Sequence, residues 1–188
     1  ENFDDIKAYM FLACPIVHPS VMMRRDVFFK YNIRYDEHYR NMEDYKLWYD
    51  IMQIGKIANI SEPLLFYRIS KEQVSTKYKV NQMIGNKLFR REIMSTYLLS
   101  KGININERII NWEIIHEISH LKLQTIDDAK MIASILFVCC LSVHDNKGLG
   151  LIKFLYSLVW TKRFFHCKYI GGIIIHYLHL KRLDYLSI

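Results

Sequence analysis

Apolar residues along the first part of the chain recur with two different periods. In "NMEDYKLWYDIMQIGK" (residues 41–56), Leu47, Trp48, Ile51 and Met52 fall three and four apart, which predicts a helix over 42–54 closed by Gly55. Immediately after it, "KIANI" (56–60) alternates with Ala58 and Ile60 two apart. "EPLLFYRI" (62–69) is a short apolar run with Pro63 near its start, and both read as strands. Before the helix, "PIVHPSVMMRR" (15–25) is a β-rich segment ending in paired arginines. "RDVFFKYN" is a short amphipathic helix and "YDEHYRN" a polar loop. From about residue 77 the helical period takes over. One pattern runs from about Val80 to Ser100 and stops at Gly102. A second runs from Glu107 to Lys122 with Asn106 as its N-cap, and a third starts near Thr125 and ends before Gly148. Two more segments cover Leu149 to Trp160 and Arg163 to Leu180. The expectation is an α/β unit at residues 1–76 and a helical extension at 77–188.

Asp44 interrupts the apolar stripe of the first helix, since it lies three and four residues before Leu47 and Trp48. Acids usually avoid that face. One explanation is local. Asn41 caps the helix, Asp44 reaches back to the Asn41 N–H as in a capping box, and Glu43 complements the helix dipole. The other is chemical. A carboxylate held ionised at a helix start, beside an indole, accepts a proton from an incoming hydroxyl.

Composition narrows the setting. The 51% hydrophobic content supplies a core, while only 7 Gly and 3 Pro favour long regular elements. The chain starts at Glu1 without a signal-like segment and reads as a piece of a longer protein. Cys14, Cys139, Cys140 and Cys167 form no C-x-x-C pair, so they are expected as reduced core residues of a cytoplasmic protein, with no clustered metal ligands. The longest uncharged apolar run, Met131 to Val143, has 13 residues, short of the roughly 20 needed to span a bilayer. Of the net charge of +7, six fall between Lys147 and Ile188, where seven bases meet one acid among many aromatic and aliphatic residues. That mixture suits an anionic membrane surface, placing the protein peripherally on the inner face of the plasma membrane. A solvated basic helical face is the plainer account. Nucleic-acid binding rests on charge alone and is not expected. His116, Glu117 and His120 in "HEISH" match the H-E-x-x-H zinc pattern, but it is short and arises by chance, and a polar helix face explains it as well.

Taken in order, "HPSVMMRR", "YDEHY", "EDYKLW", "GK" and "PLLFYR" resemble the acceptor-side half of bacterial family 2 glycosyltransferases over about residues 14–76. The resemblance implies a partial GT-A core and inverting transfer of a sugar from a nucleotide-diphosphate sugar to an acceptor hydroxyl. The setting it implies is surface polysaccharide synthesis such as capsule or O-antigen, with saccharide or lipid-linked acceptors. It also implies roles: Asp44 as the base, Glu43 holding the helix and touching the acceptor, Trp48 beneath the acceptor site, His18 bordering the pocket, and Arg68 facing the diphosphate. Two departures stand out. Ser70 occupies the place where the family often has a histidine, and no D-x-D occurs in the chain. A Mn²⁺ or Mg²⁺ ion is therefore expected to find its ligands mostly in a missing N-terminal half, and the isolated piece to be inactive. The rival is a non-catalytic helical interaction module joined to a degenerate transferase remnant.

Overall fold

A computed structural model describes residues 3–143 and Phe154. The expected helices at Leu149–Trp160 and Arg163–Leu180, the base-rich stretch, Cys167 and the last four histidines otherwise lie outside the described residues. Seven α-helices are described: α1 (Phe3–Tyr9), α2 (Asp26–Lys30), α3 (Glu43–Ile54), α4 (Val74–Lys77), α5 (Lys79–Ser100), α6 (Trp112–Ser119) and α7 (Ile126–Val143). Two single 3-10 turns, His18–Ser20 and Glu37–Tyr39, interrupt the loops.

The helices that the 3.6-residue period marked carry much of the core, together with α1, which buries Ile6 and Ala8. On α3 the buried face is Tyr45, Leu47, Trp48, Ile51 and Met52, as the spacing predicts. Phe89 of α5 receives the edges of Tyr45 and Tyr49, at ring centroids 5.0 and 5.8 Å apart, and of Tyr39, at 5.4 Å. Burying each such side chain stabilises the fold by about 1.5–3 kcal/mol. The apolar run Met131 to Leu141 is buried at every residue and makes α7 the central helix, with α1 and α6 packed on it. Thr125 Oγ1 accepts the Asp128 N–H at 3.0 Å and starts that helix.

Two deep hydrogen bonds bind the loop after α1 into this core. The Tyr45 hydroxyl donates to the Met10 carbonyl, and the buried Arg90 guanidinium donates to the Leu12 carbonyl at 2.7 Å.

The expected α/β architecture with a partial GT-A core is not what forms. Among the described residues there is no β-strand and no sheet; the fold is all-helical. Residues 56–60 and 62–69 are irregular chain. Their alternation encodes an extended preference, but a strand also needs a neighbour to pair its N–H and C=O groups. Little buries their apolar side chains either: Ile57 is half-buried against the core, but Leu64, Phe66 and Ile69 are exposed, with Phe66 fully so. In the "HPSVMMRR" segment, Pro19 sits in the first turn of the 3-10 turn, and Ser20 Oγ donates to the Val17 carbonyl at 2.7 Å, which bends the chain where a strand was expected.

Helix α6 also begins later than the sequence suggested. Asn111, not Asn106, caps it, accepting the Ile114 N–H at 3.0 Å. The Asn106 side chain is taken instead by the Ser95 hydroxyl. None of the described helices is long and apolar enough to cross a membrane.

Candidate active site

The start of α3 sets the site. Asn41 has φ +69°, and its carbonyl accepts from Gln82 Nε2 of α5 at 2.8 Å, which pins the entry turn to the core. No side chain caps the helix from the Met42 N-cap position, so the capping box with Asn41 does not form. Asp44 Oδ1 instead accepts the N–H of Tyr45 at 2.8 Å. The acid is half-buried. Burial pushes its carboxyl above the ordinary carboxylate value, the Tyr45 N–H and a protonated His18 pull it back, and Glu43 pushes it up again. The net direction is upward. A helix start that would hold a carboxylate ionised here holds one that keeps its proton more tightly than usual.

His18, Tyr35 and Trp48 gather around this acid. His18 Nε2 lies 2.9 Å from the Tyr35 hydroxyl, and its ring meets the Trp48 ring edge-on at 5.8 Å and 77°. Burial raises the Tyr35 phenol, and the charges of Asp44 and then Glu43 raise it further, so all three groups share one electrostatic neighbourhood. Cys14 belongs to the same place. Burial lifts its thiol to about 12, opposed by a backbone hydrogen bond at Ile16, with Asp44 adding to the rise. The Trp48 indole is buried, and its Nε1–H has no hydrogen-bond partner among the described residues.

Beside this group opens a cleft of about 1150 Å³. Trp48 and Ile51 of α3 form its base. One wall comes from residues 15–17 and 20–24 and the other from residues 54–62 with Leu64, Leu65 and Tyr67. Asn59 Nδ2 donates to the Pro15 carbonyl at 3.2 Å and ties the two walls together. The lining is mainly apolar, with Arg24, Lys56, Asn59 and Glu62 as polar points, the composition of a site that accepts a partly apolar ligand with a few directed hydrogen bonds.

The structure thus brings Asp44, Glu43, His18 and Trp48 together. Of these only Trp48 lines the cleft, and Arg68 stands apart from the group: it is exposed, although its neighbour Tyr67 lines the cleft. Sequence reasoning missed Tyr35 and Cys14. Tyr35 opens the "YDEHY" turn, so its closeness to the acid pair was readable there. Cys14 carried no signal of its own. Among the described residues no three His, Cys, Asp or Glu side chains come together to hold a metal ion. The Mn²⁺ or Mg²⁺ that the resemblance implies therefore has no ligand set among them, and the chemistry this group offers is proton transfer.

Comparison with known proteins gives one relationship. Over 153 residues the chain is 29% identical to an uncharacterized glycosyltransferase of Haemophilus influenzae, covering 81% of this chain and 45% of the relative. The chain thus spans a little under half the length of the curated relative it matches. No family model and no solved structure matches. The likeness supports a relationship to a glycosyltransferase and reaches no further into family or fold.

Proposed function

We propose that this chain is the acceptor-side part of a family 2-type glycosyltransferase, with Asp44 as the general base. Residues 1–76 carry the acceptor side and residues 77–188 are its extension, helical over the described part up to Val143. The observation that carries this reading is the half-buried Asp44 carboxylate, lifted above its ordinary pKa beside His18, Tyr35 and the cleft based on Trp48. A base works best when its pKa approaches the operating pH, and burial moves Asp44 that way. The 29% identity to a glycosyltransferase supports the same chemistry.

In the proposed step, the acceptor sugar lies against the cleft with one hydroxyl at Asp44. The carboxylate takes that proton while the acceptor oxygen bonds to the anomeric carbon of a nucleotide-diphosphate sugar. The bond from the anomeric carbon to the diphosphate oxygen breaks on the opposite face, and the electron pair leaves with the nucleoside diphosphate. The configuration inverts, and Asp44 later returns its proton to solvent. Tyr35 and His18 position the acceptor hydroxyl through their shared hydrogen bond, and Glu43 keeps the site negative enough for Asp44 to accept a proton. The donor site would come from polypeptide outside these 188 residues. The proposed acceptor is a saccharide or lipid-linked saccharide of bacterial surface polysaccharide.

The test compares wild type and Asp44→Asn in the full-length parent protein, by release of nucleoside diphosphate from a panel of sugar donors with a membrane extract as acceptor source. We expect a loss of about a hundredfold or more. Equal turnover in both would remove Asp44 from the chemistry.

A further inference from the structure

Around the mouth of the cleft the chain exposes side chains that usually seek cover. Met22 and Phe66 stand fully in solvent, and Ile60, Leu64 and Ile69 are mostly exposed. Met22, Ile60 and Leu64 also line the cleft, and Leu65 and Tyr67 line it on either side of Phe66, so these residues belong to one rim. Apolar patches edged by polar residues mark surfaces that meet a partner.

Charge says which partner. Residues 22–31 and 54–71 carry six bases (Arg24, Arg25, Lys30, Lys56, Arg68 and Lys71) against two acids, Asp26 and Glu62. All eight are exposed. The Arg25 guanidinium lies over the Phe29 ring at 4.8 Å and Lys30 Nζ over the Tyr31 ring at 5.4 Å, so bases and aromatics share this surface in pairs. Phe29 and Tyr31 are themselves exposed, and Tyr31 lines the cleft.

The bases interleave with the apolar residues. Arg24 follows Met22 and Met23, Lys56 precedes Ile57, and Arg68 separates Tyr67 from Ile69. The buried centre of a protein–protein interface is depleted of such charges. A second copy meeting this face about a two-fold axis would also set like charge against like charge. A lipid surface imposes neither difficulty. Anionic headgroups neutralise the bases, and single apolar side chains enter the boundary beneath them without a matched shape.

We propose that the mouth of the cleft, residues 22–31 and 54–71, docks on an anionic lipid bilayer. Met22, Leu64 and Phe66 dip below the headgroups, and Arg24, Lys56 and Arg68 meet the phosphates. The cleft then opens toward the membrane, so the acceptor that reaches it is lipid-linked rather than a free saccharide. That last consequence rests on the acceptor-side reading of Asp44; the docking itself does not.

Trypsin digestion of the full 188-residue chain, with each cut followed by mass spectrometry, tests this. The probes are vesicles of phosphatidylglycerol with phosphatidylcholine, and of phosphatidylcholine alone. The anionic vesicles should slow cleavage after Arg68 and Lys71 about tenfold, while the exposed Lys122, between α6 and α7, is cut as before. Neutral vesicles should protect neither bond, and added salt should reopen both. Leu64→Ser/Phe66→Ser and Arg24→Gln/Lys56→Gln should each lose the protection while keeping the wild-type circular dichroism spectrum. The base-rich stretch from Lys147 is common to every variant. Binding through it alone would sediment the protein with the vesicles and leave Arg68 and Lys71 open; that result overturns the proposal, as does unchanged cleavage. Protection already present without vesicles, in this chain or in the full-length parent, would give the face to a second copy or to further polypeptide and overturn it too. Asp44→Asn should be protected like wild type, so a failure of the docking and a failure of the base assignment are told apart.

Discussion

Asp44 makes two measurements move in opposite directions. Its pKa is raised on folding, so the folded state holds this proton more tightly than the unfolded chain does. The stability it contributes is therefore fully present below the unfolded value, about 4. It is lost as pH rises through the folded value, and at neutral pH the ionised acid is a burden on the fold. Asp44→Asn keeps an oxygen for the Tyr45 N–H and removes the charge. Its melting temperature at pH 7 should therefore be equal to or higher than that of wild type, with the gain vanishing below pH 4, while turnover in the parent protein collapses. A lower melting temperature at neutral pH would mean that the carboxylate serves the helix start more than the site. Trp48 is the companion case. Trp48→Ala should cost about 3–5 kcal/mol by emptying the centre of the α3 face, whereas Trp48→Phe should cost far less because the indole N–H it removes has no partner among the described residues. Chemical denaturation of the two variants separates the cases.

At the scale of elements, the helix ends are where single substitutions should tell most. Helix α5 closes with the Ile103 N–H on the Leu98 carbonyl at 2.9 Å and the Gly102 N–H on the Leu99 carbonyl at 3.0 Å, with Gly102 at φ +87°. A Cβ there meets nothing within 4 Å, so Gly102→Ala should cost only the left-handed backbone penalty, about 1–2 kcal/mol. For a chain of this size that is a fall of roughly 2–4 °C per kcal/mol in a thermal melt.

Beyond that turn, α5 and α7 share a polar joint. Buried Asp128 receives Lys101 Nζ at 2.7 Å and the Tyr97 hydroxyl at 2.7 Å. Burial raises its pKa, but Lys101, Tyr97 and Thr125 outweigh that and hold it below the ordinary carboxylate range. This contribution is present above about pH 4 and is lost as pH falls through the folded value. Asp128→Asn should cost about 1–3 kcal/mol at pH 7, and the difference from wild type should close in acid.

These helices were legible in the sequence because a helix satisfies its own backbone, so a local period suffices to announce it. The strands were misread for the converse reason. Pairing is a property of two segments, and "KIANI" and "PLLFYR" state only their half of it. Helix α1 went unforeseen. Of the candidate site, the acid pair and Trp48 were readable from spacing, but the bond from His18 to Tyr35 joins residues 17 apart across two loops and leaves no local trace.

At the scale of the whole molecule, Ile60 to Glu72 is exposed at every residue, and its ties are few, the Ser70 N–H on Gln73 Oε1 at 3.2 Å among them. On either side of it the chain is fastened across: Leu12 to Arg90, Asn41 to Gln82, Asp5 to Lys130 at 2.5 Å, and Tyr45 against Phe89. A protease should therefore find its first opening in that run, and trypsin has Arg68 and Lys71 there. Brief digestion should give two pieces by denaturing gel that still travel as one particle by size exclusion. Early separation of the pieces would show that the fastenings do not hold alone. If the nicked particle persists, the protein can be made as two separately expressed chains that find each other, because what joins its halves is the packing of helices and not the thread of backbone between them.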